Sequence, residues 1–273
     1  MNRNQTYCVT ISGILCGILL SFVYVNPYSG QITVSNLAMQ LSGSRGEFAL
    51  GLSLPELLSF SMRNIPCFLF EMYVGVRLYR HFCTASVYVF SREPNRIFWY
   101  AKECGWILLE VVLYQSIILI SAIWTAFYRY DVIWDPAGFA LVIIHVGLYS
   151  LWLFSMTLWV NMFSILCGSE VAFAITIGGQ TVLIALLPLL RIFENNFPAF
   201  TIAMNVNPIA HLVLGWQSTS VNWLNQAIHS STNVLLSVSL IYMASIALLT
   251  ATACGHIVKN KDFIVADSEF GGA

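Results

Sequence analysis

The chain has 273 residues, of which 58% are hydrophobic and 9% charged, with a net charge of −1 and a mean hydropathy of +0.75. A soluble domain covers its surface with roughly 25% charged residues, so water is not the main solvent of this protein. The near-zero net charge provides no field that would select nucleic acid or an acidic partner.

The charges cluster, and between the clusters lie apolar runs of about 20 residues, the length that crosses a hydrocarbon core of ~30 Å as a helix. A transmembrane β-barrel would alternate apolar and polar residues over roughly ten-residue segments, and Val182 to Leu190 does not alternate. The expected class is an all-α membrane protein, a single transmembrane domain over 1–273, with six spans near 7–25, 57–79, 104–127, 137–166, 171–193 and 234–254.

At the N-terminus, Arg3 precedes an apolar stretch from Val9 to Val25, a pattern close to a secretory signal. No small-x-small cleavage site follows, and Leu15 before Cys16 spoils a lipobox, so this segment reads as a retained first span. Asn26 to Glu56 is rich in Gly and Ser, with an interfacial helix expected to begin near Pro55. Span two is the weakest by hydropathy because Arg63 and Glu71 interrupt it. Arg63, near its outer end, is expected to snorkel towards water.

The segment 80–103 is basic and aromatic. Arg92, Arg96 and Trp99 fall at helix-like spacings, but Pro94 opposes one unbroken helix. The expectation is a short helix, a turn over Ser91 to Asn95, and an amphipathic helix feeding span three. Two readings stand side by side: cations and aromatics anchoring the inner interface, and a docking surface for a soluble partner.

Glu71 and Glu110 stand out inside the spans, since a central carboxylate costs roughly 2.5 to 3.5 kcal/mol on insertion scales. Both sit on the order of 10 Å from the inner interface. In an antiparallel hairpin they would share a level, and repulsion with desolvation would favour a proton on at least one. A proton or cation site, the lining of a substrate path, and a structural carboxyl that pins two helices are the open readings. His145 in span four, four residues before Tyr149, and Gln180 in span five, beside Gly178-Gly179, are further polar candidates. The glycine pair predicts close helix packing.

The outer segment 194–233 is too long for a simple connection and too apolar for a disordered one. Within it, Asn207 can cap, Pro208 suits a first helical position and Gly215 lies near an end, which predicts a short helix. Its apolar bias places it on the membrane surface or dipping back into protein.

Eight of the twelve Lys and Arg residues fall on one side of this layout: Arg3, Arg77, Arg80, Arg92, Arg96, Lys102, Lys259 and Lys261. Arg45, Arg63, Arg129 and Arg191 fall on the other. The positive-inside rule then puts both termini in the cytoplasm. Seven cysteines without a C-x-x-C pair read as small buried residues, with neither a disulfide scaffold nor a metal site expected. The sequence contains no H-E-x-x-H, no G-x-S-x-G and no G-x-x-x-x-G-K-[ST] phosphate loop, so no enzymatic role is expected of the chain itself.

A basic, aromatic loop after span two carrying Tyr88, Arg92, Arg96, Trp99 and Lys102 resembles the coupling loop of the short permease subunits of ABC-2 type ABC transporters. The likeness extends to layout: an inner N-terminus, a short inner turn at Gly168-Ser169-Glu170 and a helical outer excursion before span six. Pro94 and Glu93 depart from the more basic turn of that family. The resemblance implies that these five residues contact a separate ATP-binding-cassette subunit, which binds ATP and Mg, and that a second permease subunit, identical or related, completes the path. It further implies a bacterial cytoplasmic membrane, no nucleic-acid partner and an amphipathic cargo, with export of or self-protection against peptides such as bacteriocins as the class suggested. The alternatives are a membrane scaffold or sensor subunit without transport, a secondary transporter working through Glu71 or Glu110, and an intramembrane enzyme.

Overall fold

The computed structural model describes residues 3–27, 30–43, 54–84, 95–187, 197–228 and 234–260. Ten α-helices lie within them: α1 (Arg3–Tyr24), α2 (Val34–Ser42), α3 (Leu54–Val74), α4 (Arg77–Thr84), α5 (Arg96–Arg129), α6 (Pro136–Cys167), α7 (Ser169–Leu186), α8 (Phe197–Val206), α9 (Asn222–Ile228) and α10 (Leu236–Asn260). Five of them, α1, α5, α6, α7 and α10, are long and apolar enough to cross a membrane. These match the five strong spans of the sequence, and α3, which carries Arg63 and Glu71, is the weak one.

Backbone and side-chain bonds sort the helix ends into two groups. At one end β1 (Gln31–Thr33) pairs in parallel with β2 (Asp131–Ile133), Ile32 opposite Val132, which joins the segment after α1 to the one after α5. The start of α6 is fastened there too. Asp135 caps it, accepting from Gly138 N at 2.9 Å, and its other oxygen accepts from Ser35 N at 3.0 Å, so one carboxylate serves the N-termini of α6 and α2. A second parallel pair, β3 (Gln217–Ser218) with β4 (Val234–Leu235), lies next to the start of α10. At the opposite end, Gln5 of α1 donates to the Tyr73 carbonyl of α3, and Tyr100 of α5 donates to the Ala251 carbonyl of α10 at 2.7 Å. The beginning of α1 and the end of α10 therefore lie at the same end of the bundle, with α4. We refer to the two ends as the strand end and the α4 end.

α6 is the central helix, packing against α2, α3, α4, α5, α7, α9 and α10. It has the largest buried share of the five spans, while α7, with 22% of its apolar window buried, is the most peripheral. α1 lies along α5 through Gly13 and Gly17. A Cβ on Gly17 would stand 1.9 Å from Ser121 Oγ and 2.3 Å from the Ile118 carbonyl, so the backbones meet only because no side chain intervenes. Gly168, at φ 89°, turns the chain from α6 into α7 at the expected short turn.

Several expectations change. Helix α3 runs without a break from Leu54, so no separate interfacial helix begins at Pro55, and Pro66 sits inside it. The helix of that loop is α2, nine residues whose burial on most sides hid its period. Span two does not continue to Tyr79. It stops at Val74, and α4 starts at Arg77 after Gly75-Val76. The amphipathic helix expected before span three is one piece with it, a 34-residue helix capped by Asn95 Oδ1, which accepts from Phe98 N at 3.2 Å. The segment around Asn207 forms two 3-10 turns, Pro208–Leu212 and Leu214–Trp216, instead of an α-helix. It is buried rather than spread on a membrane surface, because Ile209, Ala210, Leu212, Val213 and Leu214 leave no polar side to face out.

Candidate functional site

The densest polar constellation is at the α4 end. α4 is short, and its N-terminal N–H groups need acceptors. Asn161, fully buried in the last third of α6, supplies one: its Oδ1 accepts from Leu78 N at 2.8 Å and Tyr79 N at 3.3 Å, while its Nδ2 donates to the Thr157 carbonyl at 2.8 Å. A side chain from another helix thus performs the capping that a local Asn or Ser would ordinarily provide.

Arg77 fixes the same helix from its other side. Its Nη1 meets Glu110 Oε1 at 2.6 Å and its Nε meets Glu103 Oε2 at 3.2 Å, with all three side chains largely shielded from solvent. His81 Nδ1 lies 4.0 Å from the other oxygen of Glu103, and its ring centroid is 6.5 Å from that of Trp99. Charge-assisted bonds of this kind are short and directional. α4 is clamped between α5 and α6, and the two-residue link Gly75-Val76 is its only covalent tie to α3.

Of the five coupling residues read from the sequence, Tyr88 and Arg92 lie outside the described residues. Arg96, Trp99 and Lys102 are on the first two turns of α5. Trp99 is buried at 6% exposure, so it supports this surface from within. The residues presented outward are Phe98 at 66%, Ile97 at 50% and the exposed Lys102. Sequence reasoning missed Phe98 because the tryptophan drew the attention that belonged to its neighbour.

Glu71 and Glu110 do not form a pair. Glu110 is taken by Arg77 at the α4 end, whereas Glu71 is fully buried between α3 and α7, with Gln180 Nε2 donating to its two oxygens at 3.0 and 2.9 Å. The structure thereby joins two candidates that the sequence listed apart. Arg63 does not snorkel. At 3% exposure it donates through Nη2 to the Gln40 carbonyl at 3.0 Å and lies 3.8 Å from the Tyr24 ring centroid. His145 stacks on Tyr149 at 4.3 Å between ring centroids. Gly178 and Gly179 face outward with nothing within 4 Å of where a Cβ would stand, so the close packing expected of them does not occur among the described residues.

A second buried cluster was not read from the sequence. His211 Nε2 lies 2.9 Å from the Asn205 carbonyl, which can only accept, so Nε2 carries the proton and Nδ1, 2.9 Å away, accepts from Ser239 Oγ of α10. The ring stacks on Tyr242 at 4.4 Å, and Gln217 Nε2 donates to the His211 carbonyl. Burial pushes this imidazole below its ordinary value, with the bond to the Asn205 carbonyl opposing the shift. The cluster fastens the 3-10 turn to α10. The chain matches no known protein family, and neither a characterised protein nor a solved structure was found similar to it.

Proposed function

We propose that this protein is the membrane-spanning permease subunit of an ATP-driven ABC transporter of the ABC-2 type, with ATP hydrolysed by a separate subunit docked at the α4 end. The observation that carries the reading is the clamp on α4. A docked ATPase needs a stiff element to push on, and α4 is held by Asn161 from α6 and by Glu103 and Glu110 from α5.

The dimensions agree with this role. α5 has 34 residues, about 51 Å of helix, against a hydrocarbon core of ~30 Å. Its surplus at the α4 end carries Arg96, Ile97, Phe98 and Lys102, cations around an apolar centre of the type that anchors protein interfaces. On this reading α3 is the sixth span, both termini are cytoplasmic, the lipid is a bacterial cell membrane and a second permease copy or relative completes the path. A peptide or other amphipathic molecule is the cargo.

The test is purification of the full-length protein from its own membranes with an ATP-binding-cassette subunit, followed by ATPase assays. Replacing Arg92, Arg96 and Phe98 by Ala should reduce hydrolysis by the complex severalfold while the permease remains folded. A permease that purifies stably from native membranes with no ATPase partner would falsify the reading.

A further inference from the structure

Outside the α4 clamp, Arg63, Cys67 and Glu71 set a row of buried polar groups along one face of α3. Towards the strand end lies Arg63, over Tyr24 and bonded to Gln40. Next is a small, partly open space of about 20 Å³ whose polar lining is Arg63, Cys67, Gln115, His145 and Tyr149, enough for one water molecule. His145 Nδ1 is buried at this space without a hydrogen-bond partner among the described residues. Cys67 forms part of the wall, and one helical turn further along α3 is Glu71 with Gln180 against it. Gln180 Oε1 and, one turn before it on α7, Thr176 Oγ1 are also buried without partners among the described residues. From Arg63 to Glu71 is about 12 Å along the helix, a large part of a ~30 Å core.

The groups facing Glu71 give it no counter-charge. α7 brings only Gln180 and Thr176, which do not titrate. α5 brings Tyr114, whose hydroxyl donates to the Pro66 carbonyl, and Glu110, which is held by Arg77 of α4. α6 brings His145 and Tyr149, on the far side of the small cavity, and α3 itself brings Cys67 and Arg63. α1 brings Cys16, and no ion pair to Glu71 exists among the described residues. An ionised carboxylate here would have a single amide as its compensation. A carboxylic acid supplies the O–H donor the site lacks: with a turn of the Gln180 amide, whose Nε2 now faces both oxygens, it would bond Gln180 Oε1 while its second oxygen accepts from Nε2, a cyclic acid–amide pair.

We propose that Glu71 is a proton-binding site, reached by water through the Arg63–His145 cavity, loaded while α3 and α7 are closed on it and unloaded when they part. Each step exchanges one O–H bond for another: on loading a hydronium ion gives its proton to the carboxylate and is left as water, and on release water takes the proton back as hydronium. The site is attached to the link that leads into α4, because the Glu71 carbonyl accepts from Gly75 N at 2.7 Å. The geometry of α7 suits it to be the moving wall, as the most peripheral of the spans with its Gly178-Gly179 side open. The inference needs no ATPase and stands or falls apart from the permease reading.

Infrared difference spectroscopy tests it, with the full-length protein in lipid nanodiscs at neutral pH and Glu71→Gln as the subtrahend. The expected wild-type signal is the carbonyl stretch of a protonated carboxyl, downshifted in deuterium oxide and missing from the variant. Disappearance of only the symmetric and antisymmetric carboxylate bands would overturn the proposal. Thermal unfolding provides the second arm. Glu71→Gln is the neutral isostere of the loaded state and should unfold within a few degrees of wild type, with Glu71→Ala well below both; a Glu71→Gln protein as unstable as Glu71→Ala, or unable to fold, contradicts a protonated site. A Glu71-dependent rise in unfolding temperature with sodium or potassium would assign the oxygens to a metal cation and sink the proton reading.

Discussion

Asn161→Leu isolates the clamp on α4 with little change of volume. It removes the acceptor of two backbone N–H groups, one at 2.8 Å and one at 3.3 Å, on Leu78 and Tyr79, both buried. A stranded buried donor costs about 1 to 3 kcal/mol, and the longer bond belongs at the low end, so the two together cost about 3 kcal/mol. Thr157 keeps its helical bonding, so losing the Asn161 Nδ2 bond adds little. At 1.4 kcal/mol per decade, α4 should open about a hundredfold more often. Asn161→Asp keeps the acceptor and puts negative charge at a helix N-terminus, so α4 should stay as protected as in the wild type. Hydrogen exchange on peptides covering Arg77 to Thr84 in nanodiscs measures this directly. Unchanged α4 exchange in Asn161→Leu, or an increase spread evenly over α6 and α10, would refute tertiary capping.

Arg77→Ala leaves Glu103 and Glu110 shielded without their cation and should cost about 3 kcal/mol of stability, with Glu110→Gln in the same background recovering part of it. Arg77→Lys should do better than Ala and worse than Arg, since an ammonium cannot span both carboxylates as a guanidinium does; thermal unfolding ranks the set. Asp135→Ala removes caps from α6 and α2 at about 1 kcal/mol each, while Asp135→Asn should retain most of that, again by unfolding temperature. Gly17→Leu should separate α1 from α5 and cost about 3 kcal/mol or prevent accumulation, because its Cβ alone would overlap Ser121 and the Ile118 carbonyl. Stability should also fall as pH drops below about 6.5: the buried neutral His211 has a depressed value, so the unfolded state takes up the proton first. In His211→Gln that component of the acid sensitivity should be lost.

The spans were legible because lipid imposes a long apolar run, and α1, α5, α6, α7 and α10 follow the sequence to within a few residues at most ends. Asp135 before Pro136 at the first position of α6 is a capping pattern that the reading of the spans passed over. Other features depended on the tertiary arrangement. Nothing local shows that Asn161, within an otherwise apolar run, accepts from a helix more than eighty positions earlier in the chain. The partner of Glu71 could not be read either, because Gln180 is over a hundred residues away and the nearer carboxylate, Glu110, was the natural candidate. Trp99 and Phe98 differ by one position and hence by about 100° around α5. That rotation places the tryptophan inside and the phenylalanine outside, and composition does not distinguish the two.

α3 is the helix that hydropathy rates worst, and its polar residues explain why it nonetheless belongs in the bundle. Arg63 is answered by Tyr24 of α1 and Gln40 of α2, Cys67 by Gln115 of α5 at 3.8 Å, and Glu71 by Gln180 of α7. Each partner comes from a different element, so a slip of one residue, a rotation of about 100°, would break all of these contacts together. The helix is keyed to a single register, and stability that other spans derive from lipid comes here from its neighbours. Such a helix moves as a unit or not at all. At its end the Glu71 carbonyl and Gly75 N are bonded, two residues before the arginine that grips α5. A displacement of α4 therefore reaches Glu71 through a few backbone atoms, and the contact with least packing behind it, that with α7, is the first to give.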